Sequence, residues 1–331
     1  MEDWLNGEIN PDNTAFFQFR NSKFGLFAYT AQSNLNGHRP PLRWSGQIRS
    51  SPHRIHRNIY TLLNAAAYVT TAQLDLSNPD TSPDFTALSF YKIFDFPDMG
   101  ALIVRKAASH ILRHRRYFGG GTVEMVIALD AAWHAKKTQS LHDELEDGTL
   151  PFHSIIALDS AFDIHERLFG SKVRVSAHAC YLSHVLYSRL SSIRHSNGLP
   201  VCEIYKHPDS TYGNSKSQGP TIAFNVRNSQ GGWVGKSDVE KMATVRGIQL
   251  RTGGVCNPGG IATYLDLRSW ELRRNFAQGM RCGDDFDILA GKLTGVVRVS
   301  FGAMSSMRDV ETFVRFIREL FVESVPKKVG F

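Results

Sequence analysis

The chain has 331 residues, of which 42% are hydrophobic, 21% charged and 11% aromatic. This composition excludes a disordered chain, a collagen and a small disulfide-linked module, and the length suits one large domain or two lobes. Lysine and arginine number 38 against 31 acidic residues, so the formal charge is +7. Because the basic residues are scattered outside short clusters at 113–116 and 326–328, we expect a solvated basic surface and no nucleic-acid partner.

Neither a membrane segment nor a cysteine framework is indicated. No apolar window approaches the roughly 18 residues that span a bilayer, and the acidic start at 1–4 is unlike a signal peptide. We therefore expect a cytoplasmic chain with no membrane partner. The four cysteines form no C-x-x-C pair, which argues against a zinc site and a disulfide framework; they are Cys180, Cys202, Cys256 and Cys282.

Strand-like and helix-like patterns alternate along the chain. Residues 1–59 are expected to be irregular apart from an apolar stretch at 24–29, and 38–57 is predicted to be a long loop. The interleaving of the later elements favours an α/β or α+β class. In chain order we predict strands at 60–63, 85–90 and 101–104, a helix at 106–114, a glycine-rich turn at 119–122, helices at 154–168 and 172–194, strands at 201–205 and 221–226, a helix at 237–245 capped by Ser237 or Asp238, a strand at 296–301 and a helix at 309–322.

Two side chains are candidates for covalent chemistry. Lys92 follows the strand predicted at 85–90, and partial desolvation there would make its amine a good Schiff-base former, with an ordinary solvated lysine as the alternative. Cys256 lies in the loop 250–260, which holds four glycines and one proline. Such a loop can present the thiol outward near Arg251, a cation that favours a thiolate, with a buried inert thiol as the alternative.

Three further clusters carry weaker signals. The turn at 119–122 offers three glycine N–H groups and a threonine hydroxyl, which suit a phosphate. His110 and His114 would share one face of a helix, but no glutamate follows His110 as a zinc protease requires, so they are interpreted as surface or packing residues. The acidic run 284–287 is interpreted as a solvated turn, because the remaining positions of a calcium loop do not fit. No metal is expected.

Taken together, these segments resemble the cysteine desulfurase-like part of eukaryotic molybdenum cofactor sulfurases, within the class V aminotransferase superfamily. The resemblance runs from about residue 24 to about residue 322 and includes Ser89-Phe90-Tyr91-Lys92 and Cys256-Asn257-Pro258-Gly259. Many segments in the right order make it specific. The matching segments are 26–29, 32–34, 88–94, 100–105, 117–123, 146–149, 247–253, 256–259 and 294–302.

The resemblance implies an α/β chain of PLP-dependent transferase fold type I. It implies a partial large domain with a mainly parallel sheet that binds pyridoxal 5'-phosphate over 1–160, and a smaller C-terminal α/β domain over 161–331. It also implies a homodimer that takes L-cysteine and the molybdenum cofactor as substrates. The implied activity is a cysteine desulfurase-like molybdenum cofactor sulfurase, which moves sulfur through an enzyme persulfide. A different PLP-dependent reaction on an amino acid, or a non-catalytic interaction protein, stays open as an alternative.

The resemblance also assigns roles to individual positions. Lys92 matches the lysine that forms the Schiff base with the cofactor, and Cys256 matches the cysteine that accepts sulfur. Arg298 matches the arginine that holds the substrate carboxylate, with Arg251 beside it. Cofactor contacts are implied at Asn34, Asn64, Ser89, Tyr91, Gly120, Gly121 and Thr122, in addition to Lys92.

The sequence departs from the family pattern in three respects. Asn64 stands where the family has an aspartate that pairs with the protonated pyridine nitrogen, and losing that charge-assisted bond is expected to cost about ten- to a hundredfold in rate. Gly254 and Ile261 replace two auxiliary cysteines of the family loop. The family's N-terminal phosphate-binding stretch and its C-terminal MOSC module have no counterpart here, so either a truncated sequence or a degenerate relative is expected.

Overall fold

A computed structural model describes residues 2–6 and 24–323. The chain divides into two compact units. The first unit comprises Met1–Thr30, Pro41–Val69 and Leu74–Leu168, and the second comprises Ala31–Pro40, Thr70–Gln73 and Phe169–Phe331. The basic cluster at 326–328 lies outside the described residues.

The first unit is built on a four-stranded sheet, in the order β1-β2-β3-β4. Strands β1, β2 and β3 run parallel, and β4 pairs antiparallel with β3. The sheet is therefore mainly parallel, as the sequence predicted. The strands are β1 (Gly25–Thr30), β2 (Ile59–Asn64), β3 (Phe85–Ser89) and β4 (Gly100–Val104).

Two helices near the start of the chain pack against β1. Leu5, Phe27 and Ile48 form a small buried cluster that joins them to the strand. The helices are α1 (Glu2–Leu5) and α2 (Trp44–Ser50). The prediction of a long loop over 38–57 was wrong, because α2 and a 3₁₀ turn at Arg54–His56 lie within it. Apolar residues such as Trp44 and Ile48 outweigh the loop-like composition around them.

The rest of the first unit combines short helices with a hairpin. The segment Lys106–His114 is a 3₁₀ helix, in which residues four apart point about 120° away from each other. His110 and His114 therefore do not share a face, and His110 instead hydrogen-bonds the Tyr60 hydroxyl. The sequence analysis did not predict the hairpin formed by β5 and β6, nor did it predict α4. The elements are α3 (Tyr91–Phe94), β5 (Val123–Ile127), β6 (Trp133–Lys136), α4 (Leu141–Leu145) and α5 (Phe152–Phe169).

The second unit contains a four-stranded antiparallel sheet in the order β7-β8-β12-β9. Every residue of the central strand β8 is buried. The main core cluster contains residues of β8, α6 and α10. The elements are α6 (Lys172–Ser192), β7 (Cys202–Ile204), β8 (Thr221–Val226), α7 (Lys236–Val245), β9 (Arg251–Gly253), α8 (Pro258–Tyr264), α9 (Ser269–Ala277), β10 (Ile288–Leu289), β11 (Lys292–Leu293), β12 (Val296–Ser300) and α10 (Met307–Phe321).

Local sequence explains where the helices of this unit begin. A capping box between Ser306 and Asp309 starts α10, and its apolar residues recur at helical spacing on the buried side. Helix α7 begins one residue before the predicted bound, with Gly235 as its N-cap. Ser237 and Asp238 therefore lie inside the first turn, and the Ser237 hydroxyl donates to the Asp287 carboxylate at 2.5 Å.

The acidic run 284–287 is held by lysines of α7. Lys236 donates to Asp287 at 2.7 Å with only 6% of its side chain exposed, and Lys241 pairs with Asp285 at 2.8 Å on the surface. The sequence predicted that the whole turn is solvated, and this prediction is wrong for Asp287. Among the described residues, no group of three histidine, cysteine or acidic side chains is placed to hold a metal ion. Across that same part of the chain, no helix combines the length and apolar character needed to cross a bilayer.

Candidate active site

The first group of predicted site residues lies where the parallel strands of the first unit end. Asn64 is the last residue of β2 and pairs with Ala87 of β3, two residues before Ser89 ends that strand. The carboxyl ends of parallel strands form the edge at which open α/β sheets bind ligands. Ser89 is 9% exposed, whereas the Asn64 side chain is exposed.

The Asn64 side chain is fixed by a local turn. Its Oδ1 accepts the Ala66 N–H at 3.2 Å, which is an Asx turn. Its Nδ2 donates to no group in the described part of the chain. The atom left to meet a ligand is therefore a hydrogen-bond donor, where an aspartate would offer only acceptors.

Lys92 lies three residues after Ser89, in α3, which is a single helical turn. Two phenylalanines flank this turn and pack against Phe162 of α5, with ring centroids 6.1 Å away for Phe90 and 4.8 Å away for Phe94. The Lys92 ammonium lies 5.9 Å from the Tyr91 ring and forms no ion pair with the described residues. Lys92 and Tyr91 are both exposed, so the desolvation expected for the lysine is not observed.

The glycine turn is folded around an internal carboxylate. The Gly119 N–H donates to Asp147 Oδ1 at 2.6 Å, and the Gly121 N–H donates to the Asp147 carbonyl at 2.8 Å. Arg115 holds the same carboxylate through two further bonds at 2.7 and 2.9 Å, and this pairing lowers the pKa of Asp147. The buried Thr122 hydroxyl donates to the Gly119 carbonyl at 2.8 Å. The Gly120 N–H, by contrast, forms no hydrogen bond with the described residues.

A cavity of about 230 Å³ borders this turn at Thr122. Arg113 and Glu144 line it and pair with each other through two hydrogen bonds of 2.8 Å. Lys136, another lining residue, has no ion-pair partner among the described side chains. The sequence analysis did not identify this lysine, because it did not predict the hairpin of β5 and β6 that brings Lys136 to Thr122.

The second group lies in the second unit and is built around two arginines. Arg298 on β12 and Arg251 on β9 are directly opposite in the antiparallel register, so their side chains share one face of the sheet. The Arg298 Nη1 donates to the Asn34 carbonyl at 2.8 Å, and its buried Nε has no partner in the described residues. Burial lowers the pKa of Arg298, Arg251 lowers it further, and the thiolate form of Cys256 raises it.

Cys256 lies in the turn between β9 and α8, and its thiol is exposed. Helix α8 begins with Asn257 as its N-cap and Pro258 at the first helical position, a favoured arrangement. Val255 and Cys256 both adopt left-handed backbone conformations, with φ of 44° and 55°. Cys256 is exposed and within electrostatic range of Arg298, so this turn places a nucleophilic thiol near a positively charged side chain.

Asn34 belongs to the second unit and contacts Arg298 through its carbonyl. The structure therefore brings together Asn34, Arg251, Cys256 and Arg298 in one unit. It brings together Asn64, Ser89, Tyr91 and Lys92 in the other, where Gly120, Gly121 and Thr122 form a separate turn. Two further residues were missed from the sequence. They are Asp147 and Ser33, although the segments 146–149 and 32–34 were among the matching segments, and Ser33 accepts a hydrogen bond from Asn257.

Solved structures with this fold include cysteine desulfurases. The apo cysteine desulfurase from Thermococcus onnurineus NA1 matches with a TM-score of 0.63 and 20% identity, over 89% of this chain and 60% of that one. The cysteine desulfurase CsdA from Escherichia coli matches with a TM-score of 0.62 and 19% identity, over 90% of this chain and 60% of that one. The fold is therefore fold type I, as predicted.

Curated relatives share more of the sequence. The molybdenum cofactor sulfurase of Neosartorya fischeri is 54% identical over 98% of this chain, and that of Chaetomium globosum is 54% identical over 97%. The chain spans 37% and 40% of the lengths of these two relatives. The family model of the class-V aminotransferases matches residues 5–313. Since this match covers nearly the whole chain, the protein belongs to the class-V aminotransferase family.

Proposed function

We propose that the chain is the cysteine desulfurase-like part of a molybdenum cofactor sulfurase, moving sulfur from L-cysteine to Cys256. The observation that carries the proposal is the exposed Cys256 thiol beside two arginines, Arg251 and Arg298, that have no acidic partner among the described residues. A carboxylate is the group that two such guanidinium side chains bind best. The names of the relatives support the same activity.

The residues of the first unit fit pyridoxal 5'-phosphate by their donor chemistry. Lys92 offers an exposed amine without an ion pair, and Ser89 and Tyr91 offer hydroxyls for the phosphate. Asn64 offers an Nδ2 donor for the ring nitrogen. The turn 119–122, which holds Gly120, Gly121 and Thr122, fits less well, because Asp147 already occupies two of its backbone donors.

When bound, the cofactor supplies an electron sink for bond changes at the amino acid Cα and Cβ. Arg298 and Arg251 hold the substrate carboxylate, which fixes the orientation of its thiol. The Lys92 Nζ takes the Cα proton of the substrate. The Cys256 thiolate attacks the substrate sulfur, so an S–S bond forms as the Cβ–S bond breaks. Cβ gains a proton, the Lys92 Nζ returns a proton to Cα, and the products are alanine and a persulfide on Cys256.

The sulfur acceptor rests on the names of the relatives, and the assembly and the compartment rest on the family resemblance. We propose the molybdenum cofactor as the final sulfur acceptor, a homodimer as the working assembly and the cytoplasm as the compartment. We propose that the first unit acts as the cofactor-binding domain and the second as the domain that carries Cys256; the boundary expected at 160 falls within α5. A second candidate, a non-catalytic protein of the same fold, is favoured by Asn64 in place of an acid and by Asp147 within the glycine turn.

The first experiment is the visible spectrum of the full chain incubated with pyridoxal 5'-phosphate. We expect a Schiff-base band that Lys92→Ala abolishes and that Lys106→Ala, the loss of another exposed lysine of the same unit, preserves. L-cysteine should then yield alanine and a persulfide on Cys256, and Cys256→Ser should yield no persulfide. A folded chain without the band would refute the enzymatic proposal and leave the non-catalytic one.

A further inference from the structure

The turn that carries Cys256 is held in an unfavourable backbone conformation. Val255 and Cys256 lie in the left-handed region at consecutive positions, with φ of 44° and 55°. A β-branched residue such as Val255 is a clear outlier there, and such strain persists only where the surrounding structure fixes it. The contacts that fix this turn therefore determine where the Cys256 thiol lies.

On one side, the turn is anchored by an apolar side chain. Val255 is 5% exposed and packs in the buried cluster that also contains Leu35, Ile261 and Val296. Gly253 and Gly254 precede it, and neither has any atom within 4 Å of the position that a Cβ would occupy. Gly253 itself is held by the sheet, where it pairs with Val296 and lies against Gly295, so the room to move before Val255 is at Gly254.

On the other side, Asn257 holds the turn through three hydrogen bonds. Its N–H donates to the Gly254 carbonyl at 3.0 Å, which closes the turn. Its Oδ1 accepts the Gly260 N–H at 2.9 Å, which caps α8. Its Nδ2 donates to the Ser33 Oγ at 3.3 Å, which ties the turn to a residue 224 positions away. The same Oγ also accepts the Leu35 N–H at 3.3 Å.

We propose that Ser33 is a positioning residue for Cys256. By accepting the Asn257 amide, the Ser33 hydroxyl keeps the turn 253–257 in its strained, closed conformation. The next residue, Asn34, accepts the Arg298 guanidinium through its carbonyl. Ser33 and Asn34 therefore set the positions of the sulfur carrier and of the carboxylate-binding arginine together. The inference rests on the proposed function for the role given to Cys256.

Loss of the hydrogen bond between Asn257 and Ser33 should change how often the turn opens. A hydrogen bond of this kind shifts an equilibrium by about two- to tenfold. Ser33→Ala should therefore raise the open fraction of the turn by that factor. The backbone amide protons of Asn257 and Gly260 exchange with solvent only when the turn opens, since both donate hydrogen bonds within it.

The experiment is hydrogen–deuterium exchange of the full chain, read at the Asn257 and Gly260 amides. We expect Ser33→Ala to accelerate both by about two- to tenfold, and Ser33→Thr, which retains the hydroxyl, to exchange at the parental rate. Thr252→Val is the matched control, because it removes a hydroxyl bond to Glu240 on the other side of the turn. It should leave both amides unchanged.

Two results would overturn the proposal. One is a parental exchange rate at both amides in Ser33→Ala, and the other is an equal acceleration throughout α10, which would indicate global destabilisation. If Ser33→Ala does not fold, Ser33→Cys carries the same test, because it keeps the size of the side chain and its thiol is only a weak hydrogen-bond acceptor. Exchange needs neither cofactor nor substrate, so a failure of this inference is distinguishable from a failure of sulfur transfer.

Discussion

Arg298 and Arg251 face each other across β12 and β9, and neither forms an ion pair within the described residues. Like charges directly opposite on an antiparallel pair repel, and burial of Arg298 adds to the cost. A fold that keeps this pair retains two adjacent positive charges at the expense of stability. The repulsion should therefore lower the free energy of unfolding of the ligand-free protein, which can be measured.

Removing Arg251 should stabilise the free chain. Arg251→Gln relieves the repulsion on Arg298, and we expect the free energy of unfolding in urea to rise by about 0.2–1 kcal/mol. Arg246→Gln is the control, because Arg246 is an exposed arginine that pairs with Glu319 at 3.4 Å. An unchanged or lower stability in Arg251→Gln would show that the two guanidinium groups do not repel.

Restoring an acid at position 64 should accelerate the proposed reaction. Asn64→Asp keeps an oxygen for the Ala66 N–H and adds a charge that stabilises a protonated ring nitrogen. We expect alanine release from L-cysteine to rise by about ten- to a hundredfold. Asn64→Ala, which has neither donor nor acceptor, should show no rise. Equal rates in Asn64→Asp and the parent would contradict the role given to this position.

The two lysine–aspartate pairs of α7 should differ sharply in their effect on stability. The Lys236 and Asp287 side chains are 6% and 13% exposed, so Asp287→Asn leaves a buried ammonium without its counter-charge. We expect the free energy of unfolding to fall by about 3–5 kcal/mol. The Lys241–Asp285 pair, with side chains 64% and 69% exposed, is the matched control. Asp285→Asn should leave the urea midpoint unchanged, and similar losses in both variants would refute the distinction.

Acid should destabilise the second unit through His38. The pKa of His38 is lowered to about 4, chiefly by burial and also by the neighbouring His207, while Asp209 opposes the shift. The His38 ring stacks on His207 with centroids 3.8 Å apart, and its Nδ1 hydrogen-bonds the Ser210 hydroxyl at 2.8 Å. The unfolded chain therefore takes up this proton first as the pH falls, which favours unfolding.

The measurement is the urea midpoint as a function of pH. We expect it to fall as the pH is lowered from 6.5 towards about 4, and we expect His38→Gln to flatten that dependence. His114→Gln, at an exposed histidine of the first unit, should leave the slope unchanged. A parental slope in His38→Gln would assign the acid sensitivity to other groups.

Local patterns were sufficient for the most buried elements. The strand predicted at 221–226 agrees with β8 at both ends, because each of its residues is buried and turn-forming residues flank it. Helix α10 begins two residues before its predicted bound, since the capping box at Ser306 was not recognised. The hairpin β5–β6 was missed because its strands are largely exposed and lack a regular alternation of buried positions.

The sequence was sufficient to identify Lys92 and Cys256 as candidates, but not to predict the hydrogen-bond partners of the residues around them. The bond between Asn257 and Ser33 joins residues 224 positions apart, and the bond between Gly119 and Asp147 joins residues 28 apart. Such pairs follow from strand register and chain path, which local propensity does not encode. The family resemblance supplied the roles of Arg298 and Arg251, and the register of β12 and β9 supplied their direct opposition.

Asp147 makes the glycine turn a site with its own counter-ion. Any external anion that binds there must compete with the Asp147 carboxylate for the Gly119 N–H and for Arg115. Binding is then an exchange of one anion for another, so its affinity is a difference between two similar interactions. A ligand with more charge or more acceptor oxygens than a carboxylate would therefore be needed to displace Asp147 from the turn.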